Sequence, residues 1–175
     1  MHMQTHLMAG WCVANLPRLS RRDRLLCMLV SVLPDLDGLG SIVSQNAYWE
    51  YHHKLGHNFV FGLALTLGFA LFSSRRVKSG ILYLAAFHLH LLLDLFGSGI
   101  GWRIHYLWPF SPVGLKSSYA WEFYSWQNIS AAGLFLLWVL VIAIRHGRTP
   151  LEAIMPSLDR QLVDFLRRRD RRSQQ

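Results

Sequence analysis

Three apolar stretches constrain this chain more than any other feature. Phe59–Phe72 carries no charge, Ile81–Ile100 carries only Asp94 together with His88 and His90, and Ile129–Ile144 carries none. Such runs must be buried, either in a protein core or in lipid. A full span takes about 20 apolar residues, so each run reaches that length only with its flanks added. Composition decides between the two. Hydrophobic residues make up 52% of the 175 and charged residues 16%, whereas soluble domains carry about 25% charged residues. The deficit points to lipid, and Trp126 and Trp138 stand where aromatic belts form.

The basic residues test that reading. Five helices, at about 4–16, 22–34, 57–73, 78–96 and 127–145, leave alternate connections that hold Arg18, Arg21, Arg22 and Arg24, then Arg75, Arg76 and Lys78, then Arg145, Arg148 and the tail. This places 15 of the 18 Lys and Arg on one face, with only Lys54, Arg103 and Lys116 on the other. The positive-inside rule makes the basic face cytoplasmic. The expected fold is therefore all-α: a polytopic membrane bundle of four or five spanning or re-entrant helices, the first two short enough to enter the bilayer only partly. Residues 1–148 form the membrane domain and 149–175 a basic cytoplasmic tail.

The net charge of +8 calls for an anionic partner or surface. Nucleic acid fits poorly, because the basic residues are shared among loops and no recognition motif is present. Membrane lipid fits better. In the tail, Thr149-Pro150-Leu151-Glu152 has the form of a capping box with proline at the first helical position. Ser157 is placed to cap a last helix, in which Leu158, Leu162 and Leu166 recur every four residues among arginines. Such a helix suits an anionic leaflet. Cys12 and Cys27 read as small buried hydrophobes. The first ten residues lack the basic start and long apolar run of a cleaved signal peptide, which predicts a retained N-terminus.

On this topology the ligand-type side chains converge. His6 begins the first helix on the extracytoplasmic side. Pro34 ends the second and leaves Asp35 and Asp37 at a turn. His52, His53 and His57 precede the third helix, His90 and Asp94 lie in the outer half of the fourth, and His105 lies in the outer loop. His90 and Asp94 are four residues apart on a helix and share a face, whereas His88 points elsewhere. A carboxylate in an apolar helix demands a partner, and a cation is the simplest one. Imidazole with carboxylate suits zinc or another first-row divalent ion. His2 and His146 have no place in this cluster.

These residues carry a resemblance. The chain resembles the membrane-bound metal-dependent hydrolases related to a LexA-regulated inner-membrane protein. The matching motifs are His6, Pro34-Asp35-Leu36-Asp37, His52-His53-Lys54-Leu55-Gly56-His57, His90-Leu-Leu-Leu-Asp94 and Trp108-Pro109-Phe110. In the paired-histidine motif the family's Arg-Gly is replaced by His53-Lys54, its Thr by Gly56 and its following Ser by Asn58; Lys54 stands in for the arginine. The ligand order is similar, more loosely, to zinc-dependent phospholipase C.

The resemblance implies an inner-membrane hydrolase that uses metal-activated water on a phosphoester of a lipid or lipid-linked substrate. His6, Asp35, His57, His90 and Asp94 would hold one or two zinc ions. Asp37, His52 and His105 are the catalytic candidates, and Lys54 and Arg103 the substrate contacts. Two alternatives use the same residues or the tail: a non-enzymatic metal transporter or sensor, and a structural protein that docks a partner through its arginines. A transporter needs access from both faces, and the basic half of the apolar helices offers no ionisable path.

Overall fold

In the computed structural model, which describes the backbone of residues 1–173 and the side chains of 1–169, helices account for every regular element except one isolated bridge between Ile104 and Leu115. The side chains of Arg171 and Arg172, counted above in the basic face, lie outside the described residues. The helices are α1 (Met3–Asn15), α2 (Arg21–Val30), α3 (Gly40–Val43), α4 (Gln45–Tyr51), α5 (Phe59–Leu71), α6 (Arg76–Gly97), α7 (Trp126–His146) and α8 (Pro156–Ser173). Short 3-10 helices at Leu33–Leu39 and Pro150–Ala153 precede α3 and α8.

Local signals explain the boundaries. Ser20 caps α2 by accepting the Asp23 N–H, and Asn58 caps α5 by accepting the Phe61 N–H at 2.9 Å. The second helix ends at Val30, earlier than Pro34 alone requires. Pro34 instead sits near the start of the 3-10 turn that carries Asp35 and Asp37. Thr149 caps the Leu151 N–H. Glu152 does not close the box; it pairs with Arg24 at 2.5 Å and leaves only a four-residue 3-10 turn. The last helix starts at Pro156, so Ser157 lies inside its first turn rather than capping it.

α6 and α7, of 22 and 21 residues, are long and apolar enough to cross a membrane. At 1.5 Å per residue each reaches about 30 Å, the thickness of a hydrocarbon core. α2 and the Leu33–Val43 segment make a third span if taken as one helix bent by 41°. α5, with 13 residues, is shorter. The outward surfaces of these helices are apolar: Leu63, Leu67 and Leu71 on α5, Val77 and Ile81 on α6, and Leu134, Leu137 and Trp138 on α7 are exposed. An apolar surface of this extent is suited to lipid rather than water.

α1 packs against α2, α6 and α7. One core joins Val13, Ala14, Cys27, Val30, Tyr83, Phe87 and Leu91; a second joins Trp11, Cys12, Met28, Val139 and Ile142. Both cysteines are buried in these cores and unpaired. At Gly10 any Cβ would lie 2.2 Å from the Ser31 Oγ. That close approach lets Ser31 donate to the His6 carbonyl at 2.9 Å while its own carbonyl accepts from the His90 ring at 2.9 Å. Helix packing thus sets the positions of two histidines.

The basic loops gather at one end. Arg148 donates to Asn15 (2.7 Å), Arg21 to the Ala153 carbonyl (3.0 Å) and Arg167 to the Ile144 carbonyl (2.9 Å). The tail therefore docks on the ends of α1, α2 and α7, with Asp159 and Val163 buried and Leu158, Leu162 and Phe165 exposed.

Candidate metal centre

At the opposite end, four segments deliver donors to one point. His6 comes from α1, Asp35 from the 3-10 turn, His57 from the loop before α5, and His90 with Asp94 from α6; His6, His57 and His90 are at most 1% exposed. The His6 Nε2 lies 3.1 Å from Asp94 Oδ1. The His90 Nε2 lies 2.9 Å from Asp94 Oδ2, and the His57 Nε2 lies 3.3 Å from the same oxygen. Asp35 Oδ1 is 3.7 Å from both His57 and His90. One ligand atom each of His6, Asp35, His90 and Asp94 lies within 4.8 Å of the others, and the same holds for His53, His57 and Asp94. Asp94 belongs to both groups.

Outer partners fix the rings. The His90 Nδ1 hydrogen donates to the Ser31 carbonyl, which turns the Nε2 lone pair inward. Asp37 accepts from the His57 Nδ1 at 2.9 Å, the His52 Nδ1 at 2.7 Å and the Gly56 N–H at 3.0 Å. His57 Nε2 is thereby also left inward, 3.0 Å from His90 Nε2. Carboxylate or carbonyl behind a ligating imidazole is the usual support of a metal site. Gly56 makes this loop possible, since any Cβ there would lie 2.1 Å from the Pro34 carbonyl oxygen. The family's threonine at this place would push the loop away from the aspartate turn.

The donor set fits a divalent cation. Two imidazole lone pairs and two carboxylates face each other, and ligands on a tetrahedral zinc stand about 3.3 Å apart for bonds near 2.05 Å. Within the group of His6, Asp35, His90 and Asp94 the gaps are 3.1 Å (His6–Asp94), 2.9 Å (His90–Asp94) and 3.7 Å (His90–Asp35), on either side of that value. Burial lowers the pKa of His57, but its hydrogen bonds to Asp37 and Asp94 outweigh burial and raise it to about 9. The Met1 ammonium also pairs with Asp94 at 2.5 Å. Burial holds His53 well below the usual histidine range, aided by the neighbouring His57. Among the described residues the buried Nδ1 atoms of His6 and His53 have no hydrogen-bond partner.

The remaining candidates lie around this point. His52, Lys54, Arg103 and His105 line a cleft of about 540 Å³ next to the donors. His105 does not enter the donor cluster; its Nδ1 donates to the Pro112 carbonyl at 3.0 Å. His88 bonds the Leu84 carbonyl and Tyr106 hydroxyl, away from the site.

Sequence reasoning left out three contributors. His53, counted among the converging histidines but given no role there, supplies a ring to the second donor group from a left-handed backbone (φ 64°). Ser98, four residues beyond Asp94, donates to Asp94 Oδ1 at 2.8 Å, a spacing that was available to read. Asn128 is fully buried and ties the start of α7 to the Gly97 carbonyl at 2.8 Å, just past Asp94.

The fold and the site define a helical membrane protein with a buried histidine–aspartate cluster at one end. The family model described as YdjM inner membrane protein matches residues 1–158, so the chain belongs to the YdjM inner membrane protein family, in agreement with the LexA-regulated resemblance. No curated protein and no solved structure matches it.

Proposed function

We propose that the chain is a multi-pass, metal-dependent hydrolase of the inner membrane that acts on a phosphoester of a lipid or lipid-linked substrate. One observation carries this reading: ligand atoms of His6, Asp35, His90 and Asp94, and of His53, His57 and Asp94, lie within 4.8 Å of one another in two largely buried groups that share Asp94. Such an arrangement is costly unless a cation sits among them. His6, Asp35, His90 and Asp94 would hold one ion. His57 and His53, sharing Asp94, would hold a second. Imidazole and carboxylate together favour zinc.

A divalent cation there supplies Lewis acidity and lowers the pKa of water at the site towards about 7. The chain's own groups do the rest. Asp37 positions His57 and His52 through their Nδ1 atoms. That leaves the His52 Nε2 facing the cavity as a general base or acid. Lys54, Arg103 and His105 offer charge and hydrogen bonds to phosphate oxygens. The distribution of Lys and Arg supports a cytoplasmic basic end and an extracytoplasmic histidine end, at the level of lipid headgroups.

Purified protein assayed against phosphodiester lipids should show zinc-dependent turnover, and Asp94→Ala should abolish it together with bound zinc. Zinc binding lost in Asp94→Ala, with no turnover by the wild type on any phosphoester lipid, would overturn the hydrolase and leave a metal-binding protein.

A further inference from the structure

Two cavities meet at the histidine end and share only His52 and Trp102 in their walls. The inner one, about 220 Å³, reaches Asp35, His53, Asp94 and Ser98. The outer one, about 540 Å³, is lined by Trp49, Lys54, Arg103 and His105 among others. The partition between them is built rather than incidental. The Trp102 ring stacks on Trp49 with centroids 5.0 Å apart and lies 5.1 Å from the His53 ring. The His105 N–H donates to the His53 carbonyl at 3.1 Å, and the flanking Ile104 is pinned by two backbone bonds to Leu115. The segment that carries Arg103 and His105 is thus tied to the loop that carries the donors.

Charge singles out the outer cleft. Among the described Lys and Arg side chains only three stand away from the basic end, and two of them, Lys54 and Arg103, line this one cavity. Neither forms an ion pair among the described residues, although Glu50 lines the same cleft. Cations at an extracytoplasmic surface run against the topological bias that sets the orientation. Their concentration beside the donors calls for an anion, and His52 and Trp102 stand at the junction between that anion and the inner cavity.

The geometry points to a substrate with two phosphate groups: one reaches the donors around Asp94 through the inner cavity, and the other is held in the outer cleft by Lys54 and Arg103. The first half rests on the hydrolase reading; the outer anion site rests on its own residues. His52, oriented by Asp37 and exposed to both cavities, stands at the junction. The Trp49–Trp102 pair offers a flat face to whatever the second phosphate carries. Charge-assisted hydrogen bonds are the strong ones, so the second phosphate should dominate binding.

The test titrates purified, zinc-loaded protein in detergent with inorganic phosphate and with inorganic diphosphate. Tryptophan fluorescence reports binding, and zinc content is measured before and after each titration so that stripping is not read as binding. Wild type should bind diphosphate at least about tenfold more tightly than phosphate, as two charge-assisted contacts require. The double variant Lys54→Gln, Arg103→Gln should lose this preference and keep its zinc. Lys116→Gln, at the third cation outside the cleft, should keep the preference, and the charge-conserving Lys54→Arg should keep most of it. Equal affinity of wild type for the two anions, a preference retained by the double variant, or one lost equally in Lys116→Gln would each overturn the second-phosphate site. A preference that survives in a wild type binding no zinc would keep the anion site and overturn its assignment to a hydrolase substrate.

Discussion

Asp23 at the basic end and Asp94 at the histidine end are both buried carboxylates, and their surroundings differ in kind. Asp23 accepts from the Ser20 and Tyr83 hydroxyls at 2.7 and 3.0 Å. Beside it Arg24 pairs with Glu152 at 2.5 Å and also donates to the Leu19 carbonyl, and Asp159 takes the N–H and hydroxyl of Thr149, both at 2.7 Å. Every acceptor there has a donor built beside it by the fold. Asp94 accepts from the Met1 ammonium and the Ser98 hydroxyl at 2.5 and 2.8 Å, but it also faces three imidazoles and a second carboxylate, Asp35. A self-satisfied network serves the fold, whereas ring nitrogens and carboxylates gathered within one ion's reach are matched to an outside cation.

If that contrast is right, the two ends respond to different perturbations. Arg24→Ala strands Glu152 and should cost about 3 kcal/mol, as breaking a largely buried pair does. Thermal unfolding in detergent should show this loss while zinc affinity, measured on folded protein, stays the same. Asp37→Asn should do the reverse: it unseats His52 and His57 and should weaken zinc binding about 10- to 100-fold. A comparable loss of zinc in Arg24→Ala would erase the distinction.

The pH dependence follows from His57, which must shed its proton to bind a cation. Its pKa stands near 9, so below that pH each binding event displaces a proton. Zinc affinity should therefore rise about tenfold per pH unit up to roughly pH 9 and then level off. A flat titration between pH 7 and 9 would show that His57 is not a ligand. The smallest effect is expected from Tyr83→Phe, which removes one of the donors to Asp23 and should cost about 1 kcal/mol without touching metal affinity.

The apolar runs made α5, α6 and α7 legible to within a few residues, because long uncharged stretches admit little else. The Leu33–Tyr51 region was not legible as helix. Its 3-10 turn, α3 and α4 are short and lack apolar periodicity, the first two carry Gly38 and Gly40, and α4 starts from a cap in which Ser44 accepts the Ala47 N–H. The i,i+4 spacing of His90 and Asp94 was readable because a helix fixes it. His53 was not, because its place depends on a left-handed backbone that its side chain does not advertise. Nor could spacing reveal that Gly56 is required by the Pro34 carbonyl, a contact between segments more than twenty residues apart.

Zinc content of the purified full-length protein tests the centre most directly. The wild type should retain one or two zinc ions per chain after dialysis, and Asp94→Ala, which removes the donor common to both groups, should retain none while remaining folded by circular dichroism. A folded wild type without zinc or any other divalent ion, or an Asp94→Ala variant with the wild-type content, would contradict the metal centre.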